Sequence, residues 1–447
     1  MTPAGSKPSS IDRPLGSTEN LYWLLDNLYC LNFVVFAEVE GRLDADRLAA
    51  ALATVQAENP LLRARIASSL AQRRFEAVAQ NSAPMQPEVL KLAHWRKEVE
   101  RQLHRPFDTE RAPLARLLWF KGVSRKSVLA MTFHHAIADG RSGTTALLDV
   151  LRRAAGEARP AVHKPARPSS QDLDLIRHQP AVLGALKQAK FWLARGKQAL
   201  QPAEQLPGYD SNPAPAREVR VLAFELDRLA LAALQRRARA HGTSIHGALG
   251  AAQLLALNAQ FPQHGLRRLA LTSLADLRGA LAGGLTDDDL GLYIATLCTV
   301  HTVQNEQQFW SLARDIREAL AAIIDAGDGN LIHGVYPAGL ALPPGGNAAR
   351  WIQAIVAAAP ASSMLSNIGR IDPVDLGDAL TLKSVAFVVA PPAQHPVCVT
   401  AASYDGRMFV HLLYDELKLS ARVAAAIGDA LMSRLREAAN RAGSDPQ

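Results

Sequence analysis

The residues best placed to do chemistry lie in one heptapeptide, His134-His135-Ala136-Ile137-Ala138-Asp139-Gly140. It follows an apolar run, Ser127 to Phe133, that reads as a buried strand. It precedes Ser142 to Leu151, which reads as the start of a helix. Two imidazoles, a carboxylate and a glycine therefore share one tight strand-to-helix turn. Imidazole titrates closest to neutrality of all side chains, so it is the default proton acceptor in group transfer. His135 and His134 are the candidate catalytic residues, with Asp139 beside them.

Metal binding is the rival chemistry. Two histidines and an Asp four residues after the second could ligate zinc or iron. Adjacent residues on an extended segment point apart, however, and no third ligand cluster is evident, so no metal is expected. Asp139 reads as structural: it would bind a buried cation or the turn's own N–H groups. A buried carboxylate is costly without a partner, so an Arg or Lys should lie near it. Gly140 suits either the turn geometry or close packing of the following helix.

The flanking pattern alternates strands and helices. Leu31 to Val39 reads as a strand ending at Gly41, and Asp44 or Asp46 can cap a helix bearing Leu48, Leu52 and Val55 on one face. Leu61 to Ile66 is extended, and Leu114 to Phe120 is a strand. Residues 159–170 are Pro-rich and polar, a helix is expected near Leu186 to Leu200, and Gln205 to Pro213 is again loop-like. Beyond these, Val219 to Leu226 is a strand, and Asp227 opens a helix to Ala240. Thr243 should cap an apolar helix through Leu257. Leu269 to Leu274 reads as a strand, and Phe309 to Ala326 as an amphipathic helix. Asp405-Gly406 joins two strands as a hairpin, and Ser420 caps a last helix.

This gives an α/β chain in four parts: a loose arm over 1–18, an N-terminal lobe over 19–158 carrying the heptapeptide, a connection over 159–215 and a C-terminal lobe over 216–447. The net charge is +7 over 447 residues, with Lys and Arg scattered, so nucleic acid is not an expected partner. Cys30, Cys298 and Cys398 form neither a CxxC pair nor an even set, the pattern of a reducing compartment. No leader-like apolar segment or membrane span is read, so a cytoplasmic location is expected.

HHxxxDG at a strand end resembles the signature of the condensation-domain and CoA-dependent acyltransferase superfamily. Glu58 to Arg65 resembles that family's HPxLR segment, with Asn59 in place of the usual His. Arg105 to Asp108, followed by Pro113 to Arg116, resembles its PFDL…PLxR element. Ser273 to Arg278 resembles PVDLR, Leu290 to Tyr293 resembles xGxF, and Leu365 to Gly369 resembles SNxG. The chain is most similar to the Pap-type, stand-alone acyltransferases, for which Leu331 to Tyr336 before Pro343-Pro344 also speaks. The BAHD signature DFGWG is missing.

The resemblance implies two chloramphenicol-acetyltransferase-like lobes forming a V-shaped pseudo-dimer with a central active-site tunnel. It implies that His135 is the base and that Asp139 pairs with Arg278 from the other lobe. Ser366 and Asn367 match the segment that could stabilise an oxyanion, or they only pack the cleft. The expected reaction is direct transfer of an acyl group from a thioester to a hydroxyl, with amide formation as the alternative and a non-catalytic carrier-binding role as a third. No bound cofactor is expected. Acyl-CoA or a phosphopantetheinyl acyl carrier protein is the implied co-substrate, a small alcohol or amine is the acceptor, and the chain is expected to be a monomer in secondary-metabolite or lipid biosynthesis.

Overall fold

The computed structural model describes residues 11–68, 73–123, 125–173, 203–212, 214, 216–263, 265–304, 309–326 and 361–440. The expected helix near 186–200 and the 331–344 segment lie outside them. The order is β1 (Asp12–Pro14), α1 (Ser17–Tyr29), β2 (Asn32–Gly41), α2 (Ala45–Glu58), β3 (Ala64–Ser68), β4 (Arg73–Ala77), β5 (Pro87–Lys91), α3 (Trp95–Gln102), β6 (Ala115–Lys121), β7 (Lys126–His134) and α4 (Gly140–Ala155). There follow β8 (Val219–Leu226), α5 (Arg228–Ala240), α6 (Ile245–Asn258), β9 (Arg267–Asp276), β10 (Ile294–Val303), α7 (Phe309–Asp325), β11 (Ser363–Ile371), β12 (Leu380–Val389), β13 (Cys398–Tyr404), β14 (Arg407–Asp415) and α8 (Ala421–Asn440).

The strands build a five-stranded sheet, β12-β2-β7-β6-β5, a six-stranded sheet, β10-β9-β11-β13-β14-β8, and a small sheet, β1-β4-β3. β7 is the central strand of the five-stranded sheet: eight of its nine residues are buried, because β2 and β6 flank it and helices cover its faces. In the six-stranded sheet β11 runs parallel to both β9 and β13, while the outer pairs are antiparallel. Helices α5, α6, α7 and α8 share the core cluster on one face of that sheet, built on Leu249, Leu255, Leu312, Ile427 and Leu435.

Three expectations are corrected. Residues 11–18 are not a loose arm. Ile11 is buried, β1 pairs with β4, and Arg13 binds Glu19 at 2.7 Å, so the segment is tied down by side chains that composition alone does not reveal. The cap of α6 is Ser244, whose hydroxyl accepts the Gly247 N–H, whereas Thr243 donates its hydroxyl to Ala313 O at 2.6 Å. Finally, residues 216–447 do not stay in one lobe. β12 crosses to pair antiparallel with β2, so the first sheet takes an edge strand from the far end of the chain.

Candidate active site

β7 ends at His134, which stands opposite Asn32 on β2. The His134 ring is fully buried. Its Nδ1 accepts the Ala136 N–H at 3.1 Å, so the ring proton must sit on Nε2. That nitrogen lies 3.4 Å from Asp26 Oδ2 on α1. The Asp26 Oδ1 accepts the Leu31 N–H at 2.6 Å. Burial works against the charge on Asp26, yet the His134 contact and the Leu31 bond outweigh it and hold the carboxyl below its usual range.

The next ring is held differently. His135 Nδ1 lies 3.1 Å from the Ala138 carbonyl oxygen, which has no proton to give. Nδ1 therefore donates, and Nε2 carries the lone pair. Tyr22 on α1 meets this imidazole edge-on at 4.6 Å, and Phe33 on β2 is tilted against it at 4.8 Å. Unlike His134, His135 keeps 7% of its surface exposed. Burial pushes its pKa down to about 4, although the Asp139 charge and the Ala138 carbonyl pull the other way. The ring is neutral at ordinary pH and ready to accept a proton.

Asp139 is wholly buried and caps α4. Its Oδ1 accepts from the Ser142 N–H at 3.0 Å and the Ser142 hydroxyl at 3.1 Å. Its Oδ2 accepts from Arg278 Nη2 at 2.9 Å and from the Tyr293 N–H at 3.0 Å. Arg278 in turn binds Asp276 Oδ1 through Nη1 and the Thr286 carbonyl through Nε, both at 3.0 Å. Every lone-pair direction of the carboxylate is thus occupied. His134 and Asp139 both bond to partners that shape the turn, Asp139 to a buried cation and to the turn's own N–H groups.

The stretch 286–293 is fastened along its length to the first lobe and to the connection that follows it. Arg141 reaches Asp287 at 2.9 Å, Lys164 reaches the Asp288 carbonyl at 2.8 Å, and Arg167 reaches Asp289 at 2.7 Å. Gly140 matters for close packing rather than for turn geometry: a Cβ there would lie 3.1 Å from Ile368 on β11 and 3.4 Å from Phe387 on β12. Ile368 follows Asn367, so the first turn of α4 meets the irregular part of β11. There the register shifts between Asn367 and Gly369, and Asn367 Oδ1 accepts the Gly369 N–H at 2.9 Å. Ser366 is in register with Leu274 on β9 and Thr400 on β13. Among the described residues neither Ser366 nor Asn367 hydrogen-bonds to the His134–Gly140 turn.

Asp26, Tyr22 and Phe33 escaped the sequence reading. The one available signal was weak: Tyr22 and Asp26 are four apart on α1, hence on one face. Among the described residues no group of three His, Cys, Asp or Glu side chains could hold a metal, and no helix is long and apolar enough to cross a membrane.

A family model described as "Condensation domain" matches residues 24–331. No match was found among curated protein sequences. Among solved structures, polyketide synthase associated protein 5 from Mycobacterium tuberculosis is 16% identical, with TM-score 0.70, and the match covers 97% of this chain and 99% of that one. The first condensation domain of the calcium-dependent antibiotic synthetase is 16% identical, with TM-score 0.74 and 98% of each chain covered. The trichothecene 15-O-acetyltransferase TRI3 from Fusarium sporotrichioides is 12% identical, with TM-score 0.72, covering 97% of this chain and 96% of that one. At these identities the likeness establishes a shared two-lobed fold.

Proposed function

Because the chain belongs to the condensation-domain family, we propose that it is an acyltransferase that moves an acyl group from a thioester to an acceptor hydroxyl, with His135 as general base. One observation carries this reading. The Ala138 carbonyl accepts a hydrogen bond from Nδ1–H and leaves the Nε2 lone pair of a partly exposed, neutral imidazole available.

His135 Nε2 takes the proton from the acceptor O–H as the oxygen attacks the thioester carbonyl carbon. A C–O bond forms, and the carbonyl oxygen becomes an oxyanion. The adduct collapses, the C–S bond breaks, and the leaving thiolate recovers the proton from the imidazolium. The products are an ester and a free thiol. His135 needs no covalent acyl intermediate, and a positioned base of this kind supplies roughly 10² to 10⁴-fold. Holding both substrates beside it supplies more.

The remaining residues have supporting roles in this reading. Asp139 pairs with Arg278 and holds the turn, and its charge favours the imidazolium as it forms. Asn367 and Ser366 are the candidates to donate to the oxyanion.

Ester formation is favoured over amide formation by the resemblance to Pap-type enzymes, and a neighbour named as an O-acetyltransferase is consistent with it. The amide reading is supported by the family model itself, and the same base would serve an amine. The donor is acyl-CoA or an acylated carrier protein. The net charge of +7 favours an acidic carrier. A carrier-binding role without catalysis would leave the lone pair on His135 without a use.

The test offers one acyl group on CoA and on a phosphopantetheinyl carrier protein, with a panel of alcohols and amines, and reads products by mass spectrometry. Ester product that disappears in His135→Ala supports the proposal. Product only with amines transfers it to the amide reading. Transfer that survives His135→Ala removes the base assignment, and carrier binding without any product favours the non-catalytic role.

A further inference from the structure

We infer that Asp26 is a positioning residue for the His135 base, acting through the ring of His134. The inference rests on His135 being the base, and it adds the device that holds it.

The contacts form a continuous path. Asp26 Oδ2 faces His134 Nε2 at 3.4 Å. The other nitrogen of that ring takes the Ala136 N–H at 3.1 Å, and the Ile137 N–H closes onto the His134 carbonyl at 3.1 Å. The turn so pinned ends in Ala138, whose carbonyl accepts the Nδ1 proton of His135. Rotation of the His134 ring would free the Ala136 N–H and loosen the carbonyl that selects the His135 tautomer. The same helix also touches the second ring directly, because Tyr22 lies one turn before Asp26 and packs on His135 at 4.6 Å. One face of α1 therefore holds both imidazoles.

The chemistry asks for a carboxylate at this place. Leu31 N–H points at Oδ1 and His134 Nε2–H faces Oδ2, so both neighbours are donors. An amide of the same shape has one acceptor and one donor end, and must set its NH₂ against one of them. Asp26 is 9% exposed, and among the described residues its ion-pair contact is His134 rather than any Lys or Arg. A carboxylate buried this way is expensive to keep unless its acceptor capacity is used.

The experiment uses the full chain labelled with ¹⁵N-histidine and long-range ¹H–¹⁵N correlation spectra, which need no substrate. His134→Asn and His135→Ala assign the two rings. In the wild type, His134 is expected as the neutral Nε2–H tautomer and His135 as the Nδ1–H tautomer. In Asp26→Asn, His134 shifts to a mixture and His135 follows. With the most active thioester and alcohol of the panel, kcat falls on the order of 10-fold to 10²-fold while KM stays within about 2-fold, as for a misplaced group. An unchanged His135 tautomer in Asp26→Asn overturns the inference, and so does an unchanged kcat. If Asp26→Asn does not fold, the wild-type spectrum decides: His134 found doubly protonated or as Nδ1–H overturns it. Activity retained by His135→Ala strikes the base reading instead, whereas an inactive His135→Ala beside an indifferent Asp26→Asn strikes Asp26 alone.

Discussion

Arg278 and Asp139 meet across the two lobes at 2.9 Å, with 4% and 1% of their side chains exposed. The pair joins the start of α4, immediately after the two histidines, to the loop that follows β9. Its geometry makes the His135 turn depend on both lobes at once.

Arg278→Ala is expected to destabilise the protein by about 3–5 kcal/mol, because it leaves a buried carboxylate without its cation. Arg278→Met combined with Asp139→Asn should cost less than Arg278→Ala, since no unpaired charge remains. Urea denaturation of the double-mutant cycle measures the coupling. A double change that costs the sum of Arg278→Met and Asp139→Asn alone would show that the pair contributes no interaction of its own.

Stability should fall as the pH is lowered from about 7 toward 4. Burial holds His135, His246, His301 and His411 near pKa 4 and His395 near 3 in the folded state. Unfolded histidines take up protons near about 6.5, so between these values the unfolded chain binds more protons and gains on the folded one. The contribution is present in full above the unfolded pKa and is lost as pH falls toward the folded one. Melting temperatures across this range test the sign; a flat profile between pH 7 and 4 contradicts it.

The rate should keep its base to unusually low pH. With His135 near pKa 4, the acid limb of kcat/KM for the free enzyme belongs near 4, not near the about 6.5 of an exposed imidazole. A pH–rate profile over the range in which the protein stays folded distinguishes the two.

Gly143→Ala should harm the site through packing. A Cβ there would stand 2.8 Å from Phe33 and 3.1 Å from Phe133, two rings stacked at 5.1 Å. Phe33 also leans on His135. Overpacking of this kind costs about 1–3 kcal/mol. The activity lost should exceed that lost in Gly140→Ala, whose new methyl meets Ile368 at 3.1 Å. Parallel denaturation and rate measurements on the two variants check this.

Asn367→Ala removes the bond to the Gly369 N–H, worth about 1 kcal/mol. If Asn367 also donates to the oxyanion, kcat should drop by roughly 10² to 10³-fold. A stability loss with unchanged kcat would reduce its role to shaping the β11 irregularity.

Much of the scaffold was legible because local physics dominates it. Strands such as Val219–Leu226, the helix after Asp227 and the Asp405-Gly406 hairpin follow from short-range periodicity and capping. The small sheet was not legible. β1 is three residues long and is stabilised by pairing with β4, some sixty residues on. β12 escaped the sequence reading, and nothing local says that it leaves its neighbours to join β2.

The sequence by itself determined which groups are available at the turn: two adjacent imidazoles, a carboxylate that burial would force to find a cation, and a residue without a side chain. Tertiary structure decided what each group does. The proton position on His135 depends on the Ala138 carbonyl, that on His134 on the Ala136 N–H and Asp26, and the bonding of the Asp139 carboxylate on Arg278 and Tyr293. Charge state and tautomer are properties of burial and of bonding partners, and those partners come together only when distant parts of the chain pack.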